Sequence, residues 1–321
     1  MKSIAFFIAG WFLVLTASAQ LLMKEEPATL KTSVGDIYGT LKVSDSKNPV
    51  PVAIIIAGSG PTDRDCNQPN MKSNSYKMLS DALFYSNIAT LCYDKRGIAK
   101  SKVEQKEEEV RFNSFVDDVK AWVNQLSGDK RFSEIILIGH SEGSLLGMIA
   151  AQNNSKVKKY ISIAGAGMSA PDILKEQLSK QMQGQPEAIK NMIFSYIDKL
   201  ERGETIADVP VYLNAFFRPS LQPYMISWFK YNPQTEISKL TIPVLLLQGT
   251  TDVQVSTDHV ELLAKANPKA QKVIIENMDH VMKISETTDM MTQVKNSYNN
   301  PDAPISKELT KIIISFIKEK K

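Results

Sequence analysis

The chain is poor in the residues that hold metals. Its 321 residues include only three histidines and two cysteines. No histidine stands at a metal-ligand spacing from another histidine or a cysteine, so no metal centre is expected. The positive surplus is small, +3, and no basic stripe is interleaved with aromatics, so nucleic-acid binding has no support. A phosphate-binding loop needs a lysine at fixed spacing after its glycines, and the glycine-rich stretch of this chain lacks it.

Apolar length is also scarce where a membrane span would need it. Ile4 to Leu15 is an apolar run broken by Gly10, too short for a comfortable transmembrane helix. It follows Met1-Lys2 and precedes Ala17-Ser18-Ala19, an A-x-A cleavage pattern. Residues 1–19 therefore read as a signal peptide, with Gln20 as the new N-terminus and an uncleaved anchor as the alternative. Cleavage removes only Lys2 among the charges, so +3 becomes +2. No cysteine follows the cleavage site, so a lipid-anchored form is not indicated. The expected location is outside the cytoplasm, periplasmic or secreted, with no stable membrane insertion after cleavage. Export permits a disulfide between Cys66 and Cys92, but sequence does not set their distance, and the pairing stays open.

What is present is organised around one stretch. Glu134 to Ile138 is apolar after its first residue and ends in Gly139-His140-Ser141-Glu142-Gly143, followed by a small-residue helical pattern. This fits a G-x-S-x-G nucleophile elbow, whose context is strand, sharp turn, helix. Ser141 belongs at the tip of a strained turn. Gly139 and Gly143 flank it because side chains there would meet the returning backbone. The helix that follows points backbone N–H groups at the reacting centre, where negative charge develops.

Around the elbow, strands alternate with helices. Thr29–Val34 and Ile37–Val43 read as a hairpin turning at Gly35-Asp36. Val50–Ala57 is a continuous apolar run suited to a strand buried on both faces. It ends in Gly58-Ser59-Gly60-Pro61-Thr62-Asp63-Arg64-Asp65. In a hydrolase of this architecture that loop supplies one oxyanion N–H, here assigned to Ser59 with Gly60 as the alternative. Asp63, Arg64 and Asp65 are expected to hold the loop through charge-assisted bonds. Tyr76–Tyr85 and Phe112–Leu126 carry helical periodicity. Ile88–Tyr93, Lys159–Ala164, Ile242–Gly249 and Lys272–Glu276 read as strands, and Ser306–Lys318 as an amphipathic helix. Alternation predicts a mainly parallel sheet with helices on both faces and a site beyond the carboxyl ends of its strands. The alternation stops between Ser169 and Leu240, where helical segments rich in Met and aromatics follow one another. The expected organisation is a core of residues 28–168 and 241–321 with a helical cap, 169–240, inserted over the sheet edge.

Ser141, Asp252 and His280 then fall at the carboxyl ends of three strands, in the chain order of an α/β-hydrolase triad. Serine is a weak nucleophile, so a histidine must take its proton, and a carboxylate must fix that histidine's tautomer. His140 sits inside the elbow with its side chain directed away from that of the serine. His259 lies in the helix after Asp252 and reads as partly exposed. Asp258 and Asp279 are the poorer carboxylates. The backbone N–H groups of Glu142 and Ser59 complete the expected oxyanion site.

From about Thr29 to the C-terminus the chain resembles the α/β-hydrolase superfamily. The stretches Gly58–Asp65, Tyr93-Asp94-Lys95-Arg96-Gly97 and Gly139–Gly143 look like a group of bacterial serine esterases related to serine-aminopeptidase-like hydrolases. The resemblance implies ester hydrolysis with no metal or organic cofactor. The His-Gly-Gly-Gly motif of many lipases is missing, and Cys66 stands where glycine is expected. The expected activity is cleavage of small acyl esters through an acyl-enzyme on Ser141. The alternatives are a peptidase or aminopeptidase using the same triad, with Glu176, Glu187, Asp198 and Glu201 available to hold an amine, and a non-catalytic binding protein on this scaffold. Oligomeric state and acyl specificity are not legible.

Overall fold

The computed structural model describes residues 23–182 and 184–319. The expected signal segment, residues 1–19, lies outside the described residues. The chain opens with β1 (Met23–Thr32) and β2 (Gly35–Ser44), an antiparallel hairpin turning at Ser33-Val34. Both strands are longer than the apolar pattern indicated, and Gly35, at φ 134°, opens β2 rather than forming the turn. The polar residues before Thr29 belong to an edge strand, where charge is tolerated and blunts unwanted pairing. Glu25 pairs with Lys42 of β2 at 3.3 Å, and Glu26 with Arg131 at 2.9 Å.

The parallel part follows. β3 (Val50–Ile56) leads through a short ribbon, β4 (Asn67–Gln68) and β5 (Met71–Lys72), into α1 (Ser75–Phe84). Then come β6 (Ala89–Tyr93), α2 (Phe112–Ser127), β7 (Phe132–His140), α3 (Glu142–Ala151) and β8 (Val157–Ile163). Five helices intervene: α4 (Ala170–Gln181), α5 (Glu187–Glu201), α6 (Asn214–Phe217), α7 (Gln222–Trp228) and α8 (Pro233–Ser238). The alternation resumes with β9 (Val244–Gly249), α9 (Thr257–Ala266) and β10 (Gln271–Ile275), and ends with α10 (Met290–Gln293) and α11 (Lys307–Lys318). The main sheet has eight strands in the order β1-β2-β6-β3-β7-β8-β9-β10, antiparallel only where β2 meets its neighbours.

Side chains alternate across this sheet with the two-residue period of a strand. Val52, Ile54, Ile56, Leu137 and Tyr160 face one layer, closed by Phe112, Val119 and Trp122 of α2 and by α3. Ala53, Ile55, Ile136, Ile138 and Ile161 face the other, closed by Leu79 and Leu83 of α1 and by Leu309, Ile313 and Phe316 of α11. With both faces covered, the strands tolerate continuous apolar runs. Because β3, β6, β7, β8, β9 and β10 run parallel, the loops after them gather at one edge.

The inserted helices have an apolar cluster of their own, including Ile193, Ile197, Leu200, Phe217, Met225 and Phe229. Most of the Met and aromatic residues of the insertion pack in or on that cluster, whereas Phe216 is half-exposed. α8 departs from the others: Ile237 is buried in the sheet's own core layer. The last helix of the insertion is thus shared with the core of the sheet.

Candidate active site

The turn after β7 is the sharpest feature of the sheet edge. Ser141 takes φ 54° and ψ −123°, a conformation costly for a residue with a Cβ, of order 1–3 kcal/mol. Two close approaches enforce it. A Cβ on Gly139 would lie 2.3 Å from the Gly143 carbonyl oxygen, and one on Gly143 would lie 2.3 Å from that of Ile56. Glycine alone lets β7, α3 and β3 come this near. The Ser141 N–H donates to the Ile163 carbonyl at 2.9 Å, and Ser144 Oγ meets Ser162 Oγ at 2.6 Å, so the turn is tied to β8.

Asp252 and His280 stand on the loops after β9 and β10. Those loops touch: a Cβ on Gly249 would lie 1.9 Å from the Met278 carbonyl oxygen. Asp252 Oδ2 accepts from His280 Nδ1 at 2.8 Å and from Gln248 Nε2 at 2.9 Å. Its Oδ1 accepts the backbone N–H groups of Gln254 and Val255 at 2.8 and 2.9 Å. Burial alone would raise this carboxyl. The His280 charge and hydrogen bond, with the Val255 and Gln254 backbone N–H groups, outweigh it and hold the group below its ordinary value. Burial likewise pushes His280 down, but Asp252 prevails and raises it above 6.5. Donation from Nδ1 leaves Nε2 as the basic nitrogen. Among the described residues no hydrogen bond joins Nε2 to the Ser141 hydroxyl; such bonds are often long until substrate binds.

The loop after β3 runs beside the elbow. A Cβ on Gly58 would lie 3.0 Å from Ser141 Cβ. Gly58 N–H donates to Tyr76 Oη at 3.1 Å, and the Gly58 carbonyl accepts from Lys95 Nζ. The N–H groups of Ser59 and Glu142, the two expected oxyanion donors, have no acceptor among the described hydrogen bonds. Arg64 holds the loop as expected, though its partner is Asp94, not a neighbour in sequence. Its Nε and Nη2 grip the Asp94 carboxylate at 3.0 and 2.6 Å, and its own N–H adds a third bond at 2.9 Å. Asp63 instead accepts the N–H groups of Asp65 and Asn67 at 2.9 and 2.8 Å.

The remaining titratable groups fall into distinct places. His140 is buried; its Nδ1 meets Tyr76 Oη at 2.8 Å and its Nε2 meets the His280 carbonyl at 2.7 Å. Burial, helped by the His280 charge, pulls its pKa down to about 3. His259, expected to be partly exposed, is fully buried, because Gly167 packs against its backbone and donates to its Nδ1 at 3.0 Å. Its Nε2 lies 3.4 Å from the Glu176 carboxylate, which also pairs with Lys180. Asp198 pairs with Lys175 at 2.5 Å. Asp279 accepts the Lys283 N–H at 2.9 Å. Glu142 is a buried carboxylate beside the elbow; burial raises it, and the Lys95 ammonium opposes that rise. Sequence reasoning passed over Tyr76 and Gln248, whose only signal is a polar group set in a helix face or an apolar run, and it quoted Lys95 within Tyr93–Gly97 without giving it a role. Cys66 and Cys92 are both buried and unbridged. Cys66 sits at φ 72°, the left-handed conformation that its glycine-like position calls for.

This strand order, with an elbow serine at its carboxyl edge and a carboxylate-bound histidine on the last loops, defines the α/β-hydrolase class. The family described as "Serine aminopeptidase, S33" matches residues 69–286, more than half of the chain. The chain belongs to that family. Esterase EstD of Thermotoga maritima is 24% identical over 254 residues, covering 78% of this chain and 59% of its own length. The chain thus spans less than two thirds of that relative. Est1E from Butyrivibrio proteoclasticus, solved with ferulic acid, is similar at TM-score 0.60 and 16% identity over 91% of this chain and 100% of that one. The Pyrococcus furiosus esterase PF2001 reaches TM-score 0.58 at 15% identity, over 97% of this chain and 94% of its own. At those identities the two structures speak to the fold.

Proposed function

We propose that the protein is a serine hydrolase that cleaves carboxylic esters of small acyl groups. Ser141 Oγ attacks the ester carbonyl as His280 Nε2 takes its proton. The resulting oxyanion is held by the N–H groups of Ser59 and Glu142. Collapse expels the alcohol, which receives the proton from His280, and leaves an acyl-enzyme on Ser141. Water then attacks with His280 again as base, releasing the acid and restoring the serine. Asp252 keeps the imidazole in the Nδ1–H tautomer and stabilises its charged form. The inserted helices act as a cap that limits the acyl group.

One observation carries this reading: the His280–Asp252 hydrogen bond of 2.8 Å, on loops at the same sheet edge as the strained Ser141 turn. The relatives named as esterases support the choice of ester over other acyl substrates. p-Nitrophenyl acetate and butyrate test it. Wild type is expected to turn both over, and Ser141→Ala to lose at least about 10⁴-fold. Equal rates for the two proteins would end the reading. A fluorophosphonate that leaves Ser141 unlabelled would favour a binding protein instead.

The family description favours a second reading, hydrolysis of peptide amides by the same residues. Aminoacyl p-nitroanilides distinguish it. Of the four cap carboxylates considered for an amine, Glu176, Glu187 and Asp198 are paired with lysines, which favours esters.

A further inference from the structure

We propose that Tyr76 and Lys95 are positioning residues that clamp Gly58 from both sides and thereby aim the Ser59 N–H at the oxyanion. The inference rests on the reading of Ser141 as nucleophile and adds residues that reading does not require.

The argument begins with the peptide plane. The Gly58 carbonyl and the Ser59 N–H belong to one planar trans unit, so they point in opposite directions. Whatever fixes the carbonyl therefore fixes the amide. Lys95 Nζ, buried in the loop just after β6, donates to that carbonyl. A donor of this kind also polarises the unit and strengthens the N–H at its far side. The preceding plane is held as well, because Gly58 N–H donates to Tyr76 Oη at 3.1 Å. With both planes held, the Ser59 amide loses the rotational freedom that a glycine beside it would otherwise allow.

Tyr76 is itself oriented. His140 Nε2 faces the His280 carbonyl at 2.7 Å, and a carbonyl accepts only, so Nε2 carries the hydrogen. Nδ1 is then an acceptor and takes the Tyr76 hydroxyl hydrogen at 2.8 Å. A lone pair on Oη remains for Gly58. The chain of donors thus runs from Gly58 N–H through Tyr76 and His140 to the backbone of His280. Ser75 Oγ adds a bond to the Val281 carbonyl at 2.7 Å. The first turn of α1 consequently spans from the amide loop to the histidine loop, with the elbow between them. Space filling alone would be met by phenylalanine at 76 and methionine at 95.

The test uses those two substitutions. Tyr76→Phe and Lys95→Met are assayed on p-nitrophenyl butyrate, with active sites counted by a fluorophosphonate burst. A trifluoromethyl ketone, whose hemiketal oxygen mimics the oxyanion, is the second probe. Each variant is expected to lose about tenfold to a hundredfold in kcat per titrated site, with KM changed less than threefold, and to bind the ketone weaker by the same factor; loss of a whole oxyanion donor costs about 10²–10³. A purely structural role would lower the number of titrated sites and leave the per-site rate and the ketone constant unchanged. That result in the two variants would overturn the clamp. If Lys95→Met does not fold, Tyr76→Phe decides alone. Retained turnover in Ser141→Ala would fault the serine reading, whereas normal ketone binding in the two variants, with Ser141 essential, would fault the clamp only.

Discussion

Asp252 is the residue on which the proposed proton transfer depends. Its four hydrogen-bond donors leave no lone pair idle, so it is built to stay ionised inside the protein. Asp252→Asn would keep the shape and forfeit the charge. The amide would present a donor toward Nδ1 and favour the wrong tautomer, for an expected loss of about 10⁴ in kcat with the fold intact by circular dichroism. The pH profile gives a second reading of the same residue. On the proposed mechanism turnover needs neutral His280, so activity should fall as pH drops through that histidine's pKa, which Asp252 lifts above 6.5. Removing the carboxylate should move the acid limb of kcat/KM to lower pH. A limb that stays in place would mean that another group titrates there.

At the scale of elements, the elbow is the part that tolerates least. A Cβ on Gly143 would meet two backbone oxygens, Ile56 at 2.3 Å and Ala57 at 2.6 Å, and neither end is a side chain that can swing away. Gly143→Ala should cost upwards of about 3 kcal/mol in urea unfolding, as overpacking of a closed site does. Gly97 is the control: its φ is +79° but nothing lies within 4 Å of a built Cβ, so Gly97→Ala should cost only about 1 kcal/mol. The buried strands were legible because both faces of the sheet are covered, which turns each into an unbroken apolar run. The sharp turn was legible because only glycine survives such contacts. Other parts carried no such pattern. Residues 286–303 mix Thr, Asn and Met without period, yet include α10 and a π-helical turn at Val294–Tyr298. They are held by Lys283, which reaches back to the Ser297 carbonyl at 3.0 Å and to that of Asn300. Tyr76, Lys95 and His140 come from three separate segments, and nothing local announces that they meet.

For the whole molecule, the buried histidines contribute to the response to acid, and burial lowers both His140 and His259. His140 has a folded pKa of about 3 against 6.5 in its ordinary state, so the fold favours its neutral form. The stability it contributes is full above 6.5 and is lost as pH falls from there toward 3. His280 acts in the opposite sense. Its raised pKa contributes stability that is full below 6.5 and fades as pH rises through the folded value. Asp252, held low, adds a loss only below its unfolded value of 3.8. Thermal midpoints should therefore be highest near pH 6.5, fall as pH rises from there through the folded His280 value, and decline steadily on the acid side as the His140 contribution is lost. His140→Gln should flatten that decline, and an unchanged slope would mean that other groups govern it.

The order of the strands has a temporal consequence. Ser141 is in place once β7 and α3 have formed, but Asp252 and His280 arrive with β9 and β10, after the inserted helices. A ribosome reading from the N-terminus would release the half of the sheet that carries the proposed nucleophile long before the proposed base. On the proposed mechanism, the growing polypeptide would be chemically silent toward any ester in the cell that makes it until its final quarter emerges.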